Sequence, residues 1–344
     1  MYEFCTYFDH RYLPRALALV HSLRRWCPEF RLHALCFDEP ARAGLQALAL
    51  PEVVPLPAPE LERAYPALKA AETSRSRVEY YFTCSPFLAS FVFDREPAID
   101  TLTYLDADLF FFSDAAPLFR EMGDAAVAII GHRFPPRLRA LEAFGRYNVG
   151  WLTFRRDPRA LACLRWWQER CLEWCFDRVE GGRFADQKYL DEWPERFPGT
   201  VELKNPGAGV APWNLETSPI ERVGDRAGVA GGPLIFFHFH GVKPVAPGVY
   251  DLGFAPYGVR PTGYVVRRVF GPYLRALREA EQALAEVGIS VAPPHRRGSL
   301  PVSGDNHATP GDDQIRTGRW RRLSRIVKEI LRRRYALVVK GLVP

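Results

Sequence analysis

Short apolar runs alternate with amphipathic segments from the start of the chain to about residue 290. The apolar runs have strand-like character and lie at residues 2–8, 31–37, 99–112, 126–131, 147–154 and 233–241. Between them, residues 14–26 and 159–176 repeat apolar side chains at helical spacing. This alternation predicts an α/β fold with a largely parallel sheet, and ligands of such sheets bind at the carboxyl ends of the strands.

The pattern changes at about residue 292. Residues 293–315 are rich in Pro, Gly, Ser and Asp, a composition typical of a flexible linker. In residues 316–344, Trp320, Leu323, Val327 and Ile330 recur at helical spacing, and Arg and Lys fill the remaining positions. We therefore expect a globular domain over 1–292, a linker over 293–315 and a basic amphipathic helix over 316–344.

The net charge of +6 is concentrated in the predicted tail. Residues 316–340 carry eight Arg and two Lys against one acid, Glu329, so this segment has a charge of +9 and the rest of the chain −3. A basic helix with an apolar stripe favours an anionic membrane surface as its partner. Binding of RNA or docking to a protein partner are the alternatives, and no specific nucleic-acid site is expected.

Composition and cysteine usage restrict the class of protein. With 47% hydrophobic and 25% charged residues, the chain is neither disordered nor collagenous. No apolar run approaches the ~20 residues that span a bilayer, and the first residues lack a basic region and a cleavage site. The seven cysteines form no CxxC pair, so we expect free thiols, a reducing compartment and a cytoplasmic protein, peripheral at the inner face of the membrane if the tail binds lipid.

Two carboxylates interrupt the apolar run at residues 99–112. Asp106 and Asp108 would share one face of a continuous strand, where burying both of them ionised and unpaired is prohibitive. Either the strand breaks at Asp106 or a cation neutralises the pair. A hard divalent metal ion binds carboxylate oxygens, whereas the simpler interpretation is a strand end whose acids cap a turn.

Three further segments carry candidate side chains. His238 and His240 alternate along the run at 233–241 and are followed by Lys243, so they are either metal ligands or hydrogen-bonded core histidines. Asp186 and Gln187 would point off an apolar helix face or cap its first turn. Asn148 and Gly150 interrupt the strand-like run at 147–154, and the glycine- and proline-rich loop at residues 205–214 offers backbone amides and a tryptophan ring to a small polar ligand.

Four segments resemble, in order, those of metal-dependent glycosyltransferases of the glycogenin and lipopolysaccharide galactosyltransferase type: YLDADLFFF, YNVGWLTFRRD, ADQKYLD and HFHGVKP. The resemblance covers roughly residues 1–245. It implies the GT-A fold, a Rossmann-like mixed sheet flanked by helices, with a nucleotide-binding half over about 1–130 and an acceptor half over 131–292. It also implies transfer of a sugar from a nucleoside diphosphate, UDP foremost, to an acceptor hydroxyl with retention at the anomeric carbon.

The resemblance assigns a role to individual residues. Asp106 and Asp108 are similar to the Asp-x-Asp that holds Mn²⁺ (or Mg²⁺) against the donor diphosphate, and His238 to the third protein ligand. Lys243 is similar to the phosphate-binding lysine, although the third motif here is one residue short, as His-x-x-Gly-x-Lys-Pro. The arginine that the family carries shortly before Asp-x-Asp has no clear match in this chain.

The remaining assignments concern the donor and the acceptor. Asp186 and Gln187 are similar to the pair beside the donor sugar, which makes them the catalytic candidates, and Asn148 is a further donor-binding candidate. Thr6 and Tyr12 lie in the opening strand and loop, the segments that in the family surround the nucleoside. The implied acceptor is a saccharide, or a lipid-linked acceptor in the synthesis of surface glycans.

Two other classes of protein fit parts of the pattern. A sugar-phosphate nucleotidyltransferase also uses acidic residues and Mg²⁺, but it requires a glycine-rich loop after the first strand, and CTYFDHRYLP contains no glycine. A non-catalytic protein that binds a membrane or nucleic acid would explain the basic tail and leave the acidic residues of the body without a role.

Overall fold

The computed structural model describes residues 1–246 and 248–290 and the backbone of Tyr335–Leu337. In this part of the chain, the main sheet consists of β1 (Tyr2–Phe8), β2 (Phe30–Cys36), β3 (Val53–Pro57), β4 (Thr101–Leu105), β6 (Val127–Gly131), β7 (Tyr147–Arg155) and β8 (Thr200–Leu203). Smaller sheets contain β5 (Leu109–Phe111), β9 (Ile220–Val223), β10 (Arg226–Val229), β11 (Gly232–Pro233), β12 (Phe236–His238), β13 (Lys243–Ala246), β14 (Val249–Asp251) and β15 (Tyr335–Leu337).

Helices cover both faces of the main sheet. The α-helices are α1 (Leu13–Trp26), α2 (Glu39–Leu48), α3 (Ala58–Ala64), α4 (Pro66–Glu72), α5 (Arg77–Arg95), α6 (Ala116–Met122), α7 (Pro158–Glu173), α8 (Trp193–Arg196), α9 (Gly263–Val265) and α10 (Gly271–Glu286). Short 3₁₀ helices lie at Pro136–Phe144, Lys188–Glu192 and Ala255–Tyr257, and a π-helical turn, Val266–Phe270, leads into α10.

The strand order of the main sheet is β3-β2-β1-β4-β7-β6-β8. The pairs β1–β2, β2–β3, β1–β4 and β6–β8 are parallel, whereas β7 is antiparallel to both of its neighbours. The prediction of an α/β fold with a mixed sheet flanked by helices is confirmed. The largely parallel sheet expected from the periodicity alone is corrected at β7, because alternation of strands and helices does not determine the direction of one strand.

Most predicted elements lie close to their predicted positions. Helix α1 and strand β2 begin within one residue of the prediction, and α7 ends three residues earlier, at Glu173. Side chains cap several helices, since Asp38 accepts a hydrogen bond from the amide of Ala41 at the start of α2 and Ser76 forms a capping box with Glu79 at the start of α5.

The apolar run at residues 99–112 is not one strand. It breaks after Leu105, and β5 leaves the main sheet to pair with β12 in antiparallel register, with His238 opposite Leu109. The run predicted at 233–241 is correspondingly shorter, and its central strand is confined to Phe236–His238. The break confirms the first of the two alternatives for the paired carboxylates, because Asp106 and Asp108 lie in the turn between the strands.

The hydrophobic core lies on both sides of the main sheet. On one side, α5 and α7 pack over residues such as Leu102, Leu152 and Phe154. On the other side, α1 and α10 cover residues such as Leu105 and Trp151. Trp151 stacks on Phe236 with 5.4 Å between ring centroids, so the main sheet and the β5–β12 pair share one core.

Only a small part of the predicted tail is described. The linker predicted at 293–315 and nearly all of the helix predicted at 316–344 lie outside the described residues. Tyr335–Leu337 forms β15, which pairs antiparallel with β14, so the predicted helix does not extend through these three residues. The sequence YALVV, which begins at Tyr335, combines an aromatic residue with β-branched residues and favours a strand.

Two sequence-based expectations concern the whole described chain. All seven cysteines are buried and none forms a disulfide, as the free-thiol prediction requires. No helix within the described ranges is long and apolar enough to cross a lipid bilayer.

We expect Phe154→Ala to lower the free energy of unfolding by about 3–5 kcal/mol, the usual loss for a large ring removed from a closed core. Phe154 is 0% exposed and contacts Trp193 with 5.9 Å between ring centroids. Chemical denaturation measures the change, and Val78→Ala is the matched control, because Val78 is 49% exposed. Equal stability of the two variants would show that this side of the core is loosely packed.

Candidate active site

Asp106, Asp108 and His238 form a compact cluster at the carboxyl end of β4. The Nε2 atom of His238 lies 3.1 Å from Oδ1 of Asp108 and 3.6 Å from Oδ2 of Asp106. One ligand atom from each of the three residues lies within 4.8 Å of the other two. The turn after β4 supplies both carboxylates, and the pairing of β12 with β5 brings His238 opposite them.

Neighbouring groups fix this cluster. Tyr104 donates its hydroxyl to Oδ1 of Asp106 at 2.8 Å, and the amide of Asp106 donates to the carbonyl of Gly150 at 3.0 Å. The amide of Phe239 donates to the carbonyl of Asp108 at 3.0 Å. The site is therefore held by backbone from β7 and from the segment after β12 as well as by side chains.

The three groups influence one another's ionisation. Burial lowers the pKa of His238, but the two nearby carboxylates outweigh it and raise the pKa above its ordinary value. Burial and the charge of Asp108 raise the pKa of Asp106, against the opposing charge of His238. The pKa of Asp108 is lowered, because His238 outweighs the effect of burial. The two carboxylates thus favour a positive charge at this point, which a bound metal ion would also supply.

Asp186 lies in the segment before the 3₁₀ helix Lys188–Glu192, close enough to the cluster for the charge of Asp106 to act on it. It is 4% exposed, and its Oδ2 atom has no hydrogen-bond partner among the described residues. Burial raises the pKa of Asp186 to about 7, with the Ser85 hydroxyl opposing the rise and the charge of Asp106 adding to it. A first-turn cap, the simpler alternative from the sequence, is not formed, because no side chain caps this helix.

Gln187 belongs to a hydrogen-bonded chain of polar side chains. Its Oε1 accepts from Nδ2 of Asn148 at 3.3 Å, and its Nε2 donates to the carbonyl of Phe144 at 2.9 Å. Asn148 also donates to Nε2 of His132 at 3.1 Å, and its Oδ1 accepts from the amide of Gly150 at 2.9 Å. These contacts connect Gln187 through Asn148 to Gly150, whose carbonyl accepts the hydrogen bond from the amide of Asp106.

The loop at residues 205–214 contributes a ring to the same region. Trp213 donates its indole N–H to the carbonyl of His132 at 3.0 Å and contacts His238 and His240 with centroid separations of 5.3 and 5.7 Å. Both histidines thus face one tryptophan, but only His238 is part of the carboxylate cluster.

Thr6, Tyr12 and Lys243, which the resemblance assigns to the nucleotide, lie in three different segments. Thr6 is buried in β1, and its hydroxyl has no hydrogen-bond partner among the described residues. Tyr12 precedes α1 and is 45% exposed, with the guanidinium carbon of Arg15 4.4 Å from its ring centroid. Lys243 is exposed at the first residue of β13.

Several residues of the site were missed in the sequence. Tyr104 could have been found, because in the strand-like run predicted through Asp106 a residue two positions earlier shares its face. Tyr7 and Ser85, whose hydroxyl oxygens lie 3.1 Å apart, and His132 gave no signal, because their contacts join segments that are distant in sequence. Arg15 also lies here, near Asp108.

Gly150→Ala is expected to disturb the carboxylate–histidine cluster. A Cβ atom at Gly150 would lie 2.5 Å from Oδ1 of Asn148, 3.0 Å from Oδ2 of Asp106 and 3.1 Å from Cε1 of His238. We expect a loss of about 1–3 kcal/mol in stability and a weakened affinity for Mn²⁺, measured by calorimetry.

Gly232→Ala is the control for this substitution, because a Cβ atom there would approach no closer than 3.7 Å to the carbonyl of Val229. Unchanged Mn²⁺ affinity in Gly150→Ala, together with wild-type stability, would contradict the described geometry.

Asp186 is expected to make stability depend on pH. An acid whose pKa is raised by folding, here to about 7, binds its proton more tightly in the folded state, so stability falls as pH rises from its unfolded pKa to about 7. Asp186→Asn should remove about 2 kcal/mol of that fall between about pH 5 and pH 8. Melting temperatures at the two pH values measure it, with Asp225→Asn at an exposed position as the control. Identical pH profiles for wild type and Asp186→Asn would disprove the raised pKa.

Three solved structures of glycosyltransferases are similar to this chain. Mouse xyloside xylosyltransferase 1 in its apo form has 16% identity and a TM-score of 0.45 and covers 70% of this chain and 98% of its own. Galactosyltransferase LgtC, in complex with donor and acceptor sugar analogues, has 16% identity and a TM-score of 0.46, and the match covers 72% of this chain and 89% of LgtC. Apo-form GlyE of Streptococcus pneumoniae TIGR4 has 15% identity and a TM-score of 0.45, and the match covers 83% of this chain and 63% of GlyE. With TM-scores below 0.5, these similarities carry no argument about the activity.

Two proteins of Bacillus subtilis (strain 168) are similar in sequence, whereas no family model matches the chain. The uncharacterised protein YfnD is 28% identical over 301 residues, which cover 86% of this chain and 96% of YfnD. The uncharacterised protein YfnF is 34% identical over 251 residues, which cover 71% of this chain and 82% of YfnF. At this identity and coverage, the chain belongs to the same family as YfnF.

Proposed function

We propose that this protein is a metal-dependent glycosyltransferase that transfers a sugar from a nucleoside diphosphate, with UDP as the first choice, to an acceptor hydroxyl. One observation carries the proposal, the cluster of Asp106, Asp108 and His238 at the carboxyl end of β4 with the buried carboxyl of Asp186 beside it. The order of the four sequence motifs, which resembles that of nucleotide-sugar transferases, supplies the class of substrate.

The donor atoms of the cluster fit a divalent metal ion. Two carboxylate oxygens are ligands that Mg²⁺ and Mn²⁺ prefer, and an imidazole nitrogen suits the transition metal Mn²⁺ better than Mg²⁺. Asp106, Asp108 and His238 would hold the ion, and the remaining coordination positions are available to diphosphate oxygens and water. When bound, such an ion neutralises the negative charge that develops on a leaving diphosphate.

The protein supplies orientation around this point. Tyr104 fixes Asp106 by a hydrogen bond of 2.8 Å, and the carbonyl of Gly150 fixes the backbone of the same residue. These contacts hold the carboxylates in place before the donor binds, so little reorganisation accompanies the reaction.

Asp186 and Gln187 are assigned to the donor sugar. With its pKa raised to about 7, Asp186 holds a proton in part of the molecules at neutral pH and can donate or accept a hydrogen bond at a sugar hydroxyl. Gln187 is oriented by Asn148 and by the carbonyl of Phe144. Together they would position the anomeric carbon against the acceptor, with retention of configuration as the outcome that the sequence resemblance implies.

Binding of donor nucleotides tests the substrate class directly. We expect UDP to raise the melting temperature of the wild-type protein in the presence of Mn²⁺ and to do so much less after chelation with EDTA, with GDP and ADP compared in parallel. A protein that none of these nucleoside diphosphates stabilises, with or without Mn²⁺, would not be a nucleotide-sugar transferase.

Asp108→Asn should lower Mn²⁺-dependent hydrolysis of a UDP-sugar by about 100-fold or more, the loss typical of removing a group that helps to stabilise developing charge. Product release at saturating metal measures the effect, and a melting curve checks the fold. Full activity of Asp108→Asn would reject the metal site.

His238→Ala should weaken Mn²⁺-dependent UDP binding more than His240→Ala, because only His238 belongs to the cluster.

A further inference from the structure

Arg15 connects the loop before α1 to the segment after His238. It lies half-buried in the first turn of α1. Its Nη2 donates to the carbonyl of Val242 at 2.8 Å, and its Nη1 donates to the carbonyl of Arg11 at 3.4 Å. Its guanidinium carbon lies 4.4 Å from the ring centroid of Tyr12. The side chain is therefore held in one place by groups from two separate segments.

The charge of Arg15 is not neutralised by an ion pair. In the described part of the chain, no carboxylate oxygen lies within 4.0 Å of its guanidinium nitrogens, whereas exposed arginines such as Arg137 and Arg178 pair with nearby glutamates. The acids that act on Arg15 electrostatically are Asp108 and Glu281, and Asp108 is already paired with His238. Removing an unpaired charge from water is costly, so this position suits an anion.

Arg15 also has donors to spare. A guanidinium carries five N–H groups in a planar fork, which matches the oxygens of a phosphate, and the carbonyls of Val242 and Arg11 occupy two of the five. The remaining donors are sufficient for a bidentate contact with a phosphoryl group.

Arg15 has neighbours both on the side assigned to the nucleoside and on the side of the metal cluster. Tyr12, which contacts its guanidinium, is on the side assigned to the nucleoside, and Asp108, which acts on it electrostatically, is on the side of the metal cluster. In a nucleoside-diphosphate sugar the diphosphate follows directly after the nucleoside, and its oxygens are the atoms that a divalent metal ion binds, so a cation between these two sides is placed to contact the phosphates. The exposed Lys243, in contrast, stands at the start of β13 in a motif shortened by one residue.

We propose that Arg15 binds the diphosphate of the donor and is the principal cationic side chain that does so. The inference rests on the proposed function, since it requires a nucleoside diphosphate at the metal cluster. Because Arg15 repels a free cation and attracts a diphosphate, it favours joint binding of metal and donor over binding of the metal alone.

The test compares ligands with and without a diphosphate. Isothermal titration measures the affinities of inorganic pyrophosphate, UDP and uridine in the presence of Mn²⁺ for wild type, Arg15→Gln, Arg15→Lys and the control Arg11→Gln, whose side chain is exposed in the same loop. We expect Arg15→Gln to lower the affinity for pyrophosphate and for UDP by at least about ten-fold, the usual effect of losing a charge-assisted hydrogen bond. Uridine should be unaffected.

The other variants separate charge from structure. Arg15→Lys should recover part of the pyrophosphate affinity, because it keeps the charge and loses the fork, and Arg11→Gln should match the wild type. Lys243→Gln should lower the affinity for pyrophosphate less than Arg15→Gln does. If Arg15→Gln does not fold, Arg15→Lys decides, and wild-type affinity for pyrophosphate in that variant overturns the proposal.

The remaining outcomes distinguish this inference from the proposed function. Wild-type affinity for pyrophosphate and UDP in Arg15→Gln, or an equal loss for UDP and uridine, would overturn the role of Arg15 and leave the proposed function standing. A wild-type protein that binds neither pyrophosphate nor any nucleoside diphosphate with Mn²⁺ would overturn both.

Discussion

The placement of two carboxylates at the end of an apolar strand determines much of this structure. Asp106 and Asp108 cannot both continue in the main sheet, because an apolar interior would leave their charges uncompensated. The chain therefore turns after Leu105, and Leu109–Phe111 pairs with Phe236–His238 instead. That second pairing brings His238 to the carboxylates, and the stacking of Trp151 on Phe236 joins both sheets in one core. The electrostatic requirement and the topology thus support each other.

The charges around the cluster are arranged unequally. Asp106 and Asp108 share the imidazole of His238, whereas Asp186 lies deeper and burial raises its pKa to about 7. Carboxyl groups with such different environments suit different tasks, one set holding a cation and the other exchanging a proton or a hydrogen bond near neutral pH. Gly150 is central to this arrangement, because its missing side chain lets Asp106, Asn148 and His238 approach the same point.

The sequence contained the elements and the chemistry of the site but not its three-dimensional partners. Helical and strand periodicity located α1, β2 and β7 to within a few residues, and the acids inside an apolar run pointed to Asp106 and Asp108. Periodicity reports which face of an element is buried, and it does not report which distant element covers that face. The antiparallel direction of β7, the pairing of β5 with β12 and the contact between Tyr7 and Ser85 all depend on such long-range packing. For the same reason nothing in the helical pattern of residues 14–26 distinguished Arg15.

The shortened motif that ends at Lys243 and the position of Arg15 are related through the loop after His238. The segment from His238 to Lys243 must return from the metal cluster to β13, and Gly241 makes that turn with φ at 78°. A Cβ atom at Gly241 would lie 3.4 Å from the Cα atom of Gly253. With one residue fewer before the lysine, Lys243 already begins β13, where its side chain is exposed. A side chain from α1 approaches the same loop from a rigid helix, and its hydrogen bond to the carbonyl of Val242 holds the loop and the guanidinium in a fixed relation. A guanidinium that hydrogen bonds already hold in place loses less conformational freedom on binding a phosphate than an exposed lysine side chain, which favours Arg15 at this position.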